Sequence, residues 1–125
     1  MREIVTELVH LGFSEKEARV YLAALEVGVS SAQQIGEKAG NNRATTYSVL
    51  KSLIKKGLIT LVSIDGSQSF RAEAPGSIIR LLDLQQKELE KRKHRAHQTI
   101  ERLQVFHNTD GSKPRIRYFE RVTGL

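Results

Sequence analysis

Cysteine is absent from these 125 residues, which excludes a disulfide framework and any zinc site built on thiolates. No apolar run approaches the ~20 residues that a membrane-spanning helix needs. The opening stretch, MREIVTELVHLG, alternates charge with aliphatic side chains and lacks the apolar centre of a secretory signal. Together these absences lead us to expect a cytoplasmic protein. Catalytic arrangements are missing too. No serine-histidine-aspartate pattern, phosphate-binding loop or paired-carboxylate pocket stands out, so no enzyme is expected. His94 and His97 stand three residues apart on a helical stretch, but they lack a nearby third ligand. They also lie in a basic run, KRKHRAH, that repels cations. We therefore read them as solvated helix faces, and expect neither metal nor cofactor.

The hydrophobic share, 39%, suits a folded domain rather than a disordered chain. The net charge is +6, and its placement says more than its sum. Residues 1–40 carry four basic and six acidic side chains, whereas residues 41–74 carry five and two. Residues 75–112 carry seven and five, and residues 113–125 carry four and one. The positive field thus begins near residue 41, and a polyanionic partner is its usual physical meaning.

Four glycines, Gly12, Gly28, Gly40 and Gly57, each follow an amphipathic segment. Glycine readily adopts the left-handed conformation that ends many helices. Four helices are therefore predicted. The first covers 2–11, with Ile4, Val5, Leu8 and Leu11 on one side. The second starts at Ser14, where Ser14 and Glu17 spell a capping box, and buries Ala18, Tyr21, Leu22 and Leu25. The third starts near Ser31, with Gln34 completing a second box and Ala32, Ile35 and Ala39 facing inward. The fourth covers 42–56. Its apolar face is Tyr47, Leu50, Leu53 and Ile54, and its opposite face is Arg43, Thr46, Lys51 and Lys55. Two β-rich runs follow, 58–64 and 69–72. Asp65-Gly66 between them is a hairpin signal, with Ser67 and Gln68 read as part of the loop.

Helix, Gly-Asn-Asn turn, second helix and hairpin, in that order, predict a winged helix-turn-helix. Its usual task is to lay the second helix in the major groove of duplex DNA. Arg43, Thr45 and Thr46 suit base edges, since Arg can donate twice to guanine and Thr offers a hydroxyl and a methyl. Asn42 is either the cap of this helix or a reader of adenine. Tyr47 either packs in the core or reaches a phosphate through its hydroxyl. Lys51 and Lys55 are phosphate candidates, which position a protein without reading sequence. Ser31 and Gln68 complete the expected DNA-contact set. The hairpin tip carries Asp65 and no cation, so a minor contribution is expected from it.

After Gly76 there is neither proline nor glycine to about residue 107. Pro75 fits a first helical turn, and the stretch would make a rod of roughly 48 Å. Leu82, Leu89, Ala96 and Leu103 recur every seven residues, the pattern of a coiled-coil seam, and Ile78, Ile100 and Phe106 widen it. Gln85, Arg92 and Thr99 at the other seam positions are polar. The run at 91–95 could flank DNA, or pair with Glu88, Glu90 and Glu101 of a partner helix. The domain reading is 1–74 for the winged helix-turn-helix, 75–107 for a dimerisation helix through Leu82, Leu89, Ala96, Ile100 and Leu103, and 108–125 for a polar loop and tail. The fold class is mainly α with a small β-hairpin wing.

These residues resemble a known family. LGFSEKEARVYLAALEVG, SAQQIGEKAGNNRATTYSVLKSLIKKGLI and FRAEAP are together similar to the TrmB family of transcriptional regulators. The resemblance implies a dimeric repressor or activator of transcription. In it, the helix matching 42–56 enters the major groove and the helix after the wing dimerises. The terminal KPRIRYFERVTGL resembles the opening of the second domain of longer members, which binds sugars. No small-molecule effector is expected to bind this chain alone. The alternative class is a winged-helix and coiled-coil adaptor for other proteins, without specific DNA binding.

Overall fold

The computed structural model describes residues 2–108. The elements follow in the order α1 (Arg2–His10), α2 (Glu15–Val27), α3 (Ala32–Ala39), α4 (Arg43–Lys55), β1 (Ile59–Ile64), β2 (Ser67–Ala72) and α5 (Ser77–Asn108). The tail expected at 108–125 lies, from residue 109, outside the described residues. The chain divides after Leu82 into two units. None of the described helices is long and apolar enough to cross a membrane.

In the first unit, α2 is the central element and packs against α1, α3, α4 and β2. Its start is fixed locally. The Ser14 side chain accepts from the Glu17 backbone amide at 3.0 Å, and the Glu17 carboxylate accepts from the Ser14 amide at 3.0 Å. The α3 box between Ser31 and Gln34 closes in the same way. Tyr21, Ile35, Leu50, Leu53 and Leu58 are fully buried at the centre. Each such large side chain contributes about 1.5–3 kcal/mol when taken out of water. The Phe13 ring meets Tyr21 edge-on, and the Tyr21 hydroxyl donates to the Glu73 carbonyl at 2.8 Å.

The apolar stripes differ from the sequence reading at their edges. Ile4, Leu11 and Leu25 are exposed, and Leu8 alone of the α1 set is buried. On α2 the buried positions include Val20, Ala23 and Ala24. Small side chains there let neighbouring helices come close, so the inward face turns toward the alanines rather than toward the largest aliphatics.

The hairpin is tighter than its sequence suggested. Ile64 pairs with Ser67 and Ser63 with Gln68, so the turn is Asp65-Gly66 alone. Asp65 (φ 50) and Gly66 (φ 79) are both left-handed, as a two-residue turn between twisted strands requires. Phe70 of β2 is also bonded to Ser30, amide to carbonyl in both directions at 3.1 and 2.8 Å. The hairpin is thereby tied to the connection between α2 and α3. At the start of α5, Ser77 and Leu81 are buried, while Leu82 is half-buried. The first unit is a winged helix-turn-helix.

The second unit, within the described residues, is the continuation of α5. Leu89 and Leu103 are 51% and 56% exposed on it, Ala96 is exposed, and Ile100 is half-buried.

Candidate nucleic-acid interface

The turn between α3 and α4 sets the angle of the exposed helix. Gly40 sits in the left-handed region at φ 81, and its amide and that of Asn41 both donate to the Gly36 carbonyl, at 2.8 and 2.9 Å. Asn42 then starts α4, its side-chain oxygen accepting from the Thr45 amide at 2.8 Å. Of the two readings of Asn42, the cap is the one the geometry makes.

Thr46 requires a correction. It has no exposed surface, and its hydroxyl donates to the Asn42 carbonyl at 2.8 Å. A β-carbon added at Gly36 would stand 2.5 Å from the Thr46 oxygen and 3.2 Å from the Asn41 carbonyl. Thr46 therefore faces α3, not solvent, and cannot reach a base edge as expected. It forms the crossing of the two helices together with Gly36, a residue the sequence reading passed over. The available signal was a glycine in the middle of a helical pattern, ten residues before a threonine on the next helix.

The exposed surface of α4 carries Arg43, Ala44, Tyr47, Ser48, Lys51 and Lys55, with Thr45 half-buried beside them. Ala44 and Ser48 were not among the expected contacts, although they precede Lys51 and Lys55 at the four- and three-residue spacing of one helix face. The helix RATTYSVLKSLIK contains no carboxylate, so nothing along it offsets its cations. Its amino-terminal end adds a partial positive charge that favours phosphate.

Tyr47 is shared between two roles. The Arg43 guanidinium lies over its ring at 5.9 Å, and the ring meets Phe70 edge-on at 6.3 Å. With 36% of its surface exposed, it links the start of α4 to the hairpin. Arg43 is thus held by the ring one turn along its own helix, and the ring is held by β2.

Lys56 contrasts with its neighbours. Its ammonium donates to the Glu17 carboxylate at 2.8 Å, and the Ser52 hydroxyl donates to the same group at 2.5 Å. Burial pushes the Glu17 carboxyl up. The hydrogen bonds from Lys56, Ser52 and the Ser14 amide, with the Lys56 charge, together hold it below the ordinary range. The charge of Lys56 thus fastens the end of α4 to α2, whereas Lys51 and Lys55 remain exposed.

The hairpin presents little positive charge. Its only cation, Arg71, pairs with Glu73 at 3.4 Å, and Glu73 also accepts from the Thr60 hydroxyl. The Thr60 hydrogen bond leads in holding the Glu73 carboxyl below its usual range, with Arg71 adding to it against some desolvation. Gln68 is exposed near the tip, opposite Ser63. Ser31 stands half-buried at the start of α3, its side chain engaged with Gln34.

Residues 8–73 match the family described as the sugar-specific transcriptional regulator TrmB. The chain belongs to the TrmB family. Among solved structures it is similar to TrmBL2, described as an archaeal chromatin protein showing a novel mode of DNA binding. That likeness has a TM-score of 0.71 at 22% identity and covers 86% of this chain and 43% of that one. A MarR family protein from Bacillus stearothermophilus is similar with a TM-score of 0.50 at 17% identity, covering 89% of this chain and 82% of that one. At these identities the likeness carries the fold, a winged helix with a long following helix. The TrmB-family chain spans under half the length of TrmBL2. No curated protein matches it.

Proposed function

We propose that this TrmB-family chain is a sequence-specific, duplex-DNA-binding regulator of transcription that works as a homodimer. The observation that carries this reading is the carboxylate-free face of α4, with Arg43, Ala44, Tyr47, Ser48, Lys51 and Lys55 exposed at helical spacing. The family's description as transcriptional regulators supports it. Arg43 and Thr45 read base edges at the start of the helix, and Ser48 extends the reading by one turn. Lys51 and Lys55 contact phosphates, as does the ammonium-free hairpin tip through Gln68, more weakly. Ser31, at the start of α3, faces the backbone beside the groove. Thr46 and Asn42 act indirectly, by fixing the crossing and the start of the reading helix.

Pairing of two α5 helices through Leu82, Leu89, Ala96, Ile100 and Leu103 completes the unit. Half-exposed Leu89 and Leu103 support it, because a lone chain leaves them in water. A two-fold pair presents two reading helices to two half-sites, so the operator is a near-palindrome. The test is selection from a random duplex pool. Enrichment of one sequence with two inverted half-sites is expected, and a pool that stays random after repeated rounds contradicts specific binding.

A further inference from the structure

The second unit has a face that the seam of Leu89 and Leu103 leaves unused. An α-helix turns about 100° per residue. Setting Leu89 as the reference, Leu82, Ala96, Ile100 and Leu103 fall within about 40° of it. Within about 45° of the opposite line fall Lys87, Lys91, His94, Gln98 and Arg102, with exposed Leu84 and Val105 at the two ends of the run. Arg95 and Glu101 lie about 60° from that line on opposite flanks, and Glu88 and Glu90 about 80° from it. All the named polar residues are exposed, and a surface concavity is lined by Lys87, Glu90, Lys91, His94, Arg95 and Gln98. The ion pair touching the face, Lys91 to Glu88, is long at 3.9 Å, and both side chains are mostly in water. It does little to cancel the field.

A solvated helix with random charge placement would scatter its carboxylates around the barrel. Here Lys87, Lys91 and Arg102 stand opposite the apolar stripe, spread along roughly 22 Å, while Arg92 and Lys93 lie toward the leucine side. Duplex DNA carries one negative charge per about 1.7 Å of its axis, so a row of this length faces many phosphates. We propose that this face of α5 is a second, sequence-independent contact for the sugar-phosphate backbone of duplex DNA. It adds to the α4 contact and depends on the DNA-binding reading above. Because it lies opposite the leucine seam, pairing through that seam leaves both copies of the face outward and available.

The experiment uses the full chain and a 40-base-pair duplex carrying the selected site, with affinity measured by fluorescence anisotropy over a series of salt concentrations. Each neutralised phosphate adds about 0.9 to the slope of log affinity against log salt. The variant Lys87→Gln, Lys91→Gln, Arg95→Gln, Arg102→Gln is expected to lose about 2–4 units of that slope while keeping its preference for the site. Circular dichroism checks that the helix persists. Should the fourfold variant unfold, Lys91→Gln and Arg102→Gln singly are each expected to lose about one unit. A wild-type slope in variants that stay helical overturns the second contact but leaves the α4 reading standing. Wild-type slope in the variants together with binding of wild-type protein to phosphatidylglycerol vesicles assigns the face to a lipid surface and also overturns it. A wild-type chain that binds no duplex at all overturns both readings.

Discussion

The Thr46 hydroxyl oxygen lies 2.5 Å from where a β-carbon on residue 36 would stand, so Gly36 and Thr46 meet at the crossing of α3 and α4. Thr46 cannot easily swing away, because its hydroxyl is bonded to the Asn42 carbonyl and its β-branch is stiff. Gly36→Ala gains about 1 kcal/mol of helix propensity and incurs about 1–3 kcal/mol of overpacking. The expected net effect is a destabilisation of up to ~2 kcal/mol in urea unfolding. In a Thr46→Ala background the nearest obstruction is gone and only the tight contacts to the Asn41 carbonyl at 3.2 Å and to the β-carbon of residue 46 remain, so the same change is expected to cost clearly less. Equal effects in the two backgrounds would show that this crossing does not set the packing.

Asn42 separates capping from base reading. Asn42→Ala is expected to cost about 1 kcal/mol in thermal unfolding, through the lost bond to the Thr45 amide. Asn42→Asp keeps that bond and the stability, but sets a negative charge near phosphates and weakens DNA binding. An alanine variant of unchanged stability removes the cap from the account.

Glu17 gives the fold an acid-sensitive clamp. Its ordinary value is 4.5, and the folded state holds it lower, through Lys56, Ser52 and the Ser14 amide acting against burial. A carboxyl lowered by folding contributes stability that is fully present above its unfolded value and is lost as pH falls through the folded one. Urea midpoints are therefore expected to fall as pH drops below about 4.5. Glu17→Gln is expected to be less stable at neutral pH and to fall less steeply in that window, with Glu73 supplying a remaining slope. Parallel pH curves for the two proteins would contradict the clamp.

Much of this architecture was legible because short-range chemistry writes it. The boxes at Ser14 and Ser31, the Asn42 start and the helix-ending glycines all act within a few residues, and the structure has them where the sequence put them. Long-range effects were not legible in the same way. Thr46 is small and polar, so hydrophobic periodicity assigned it outward, and only the bare α-carbon of Gly36 makes room for it inward. Leu25 and Ile4 fit a helical stripe by spacing, yet the close approach permitted by Ala23 and Ala24 turned the buried face away from them. Glu17 was read for its cap, while its bonds to Ser52 and Lys56 join residues 35 and 39 positions apart. The hairpin loop was read too long because Ser67 and Gln68 are turn-prone, whereas cross-strand pairing recruits both into β2.

The dimer is tested through its seam. Leu89 and Leu103 are about half exposed, and pairing that covers them contributes roughly 1.5–3 kcal/mol each. Sedimentation equilibrium is expected to give a dimer at tens of micromolar for wild type and a monomer for Leu89→Asp, Leu103→Asp. A monomeric wild type, or a double variant still fully dimeric, rejects this seam and favours the adaptor class.

The most direct measurement of the central claim is duplex binding by fluorescence anisotropy on a selected site and on scrambled DNA. Arg43→Ala is expected to lose about 1–3 kcal/mol on the selected site and little on scrambled DNA. Lys51→Ala is expected to weaken both similarly and to reduce the salt slope by about one unit. Thr46→Ser, which keeps the buried hydroxyl, is expected to bind as wild type does. Wild-type affinity and selectivity in an Arg43→Ala, Lys51→Ala double variant would contradict the assignment of α4 as the reading helix.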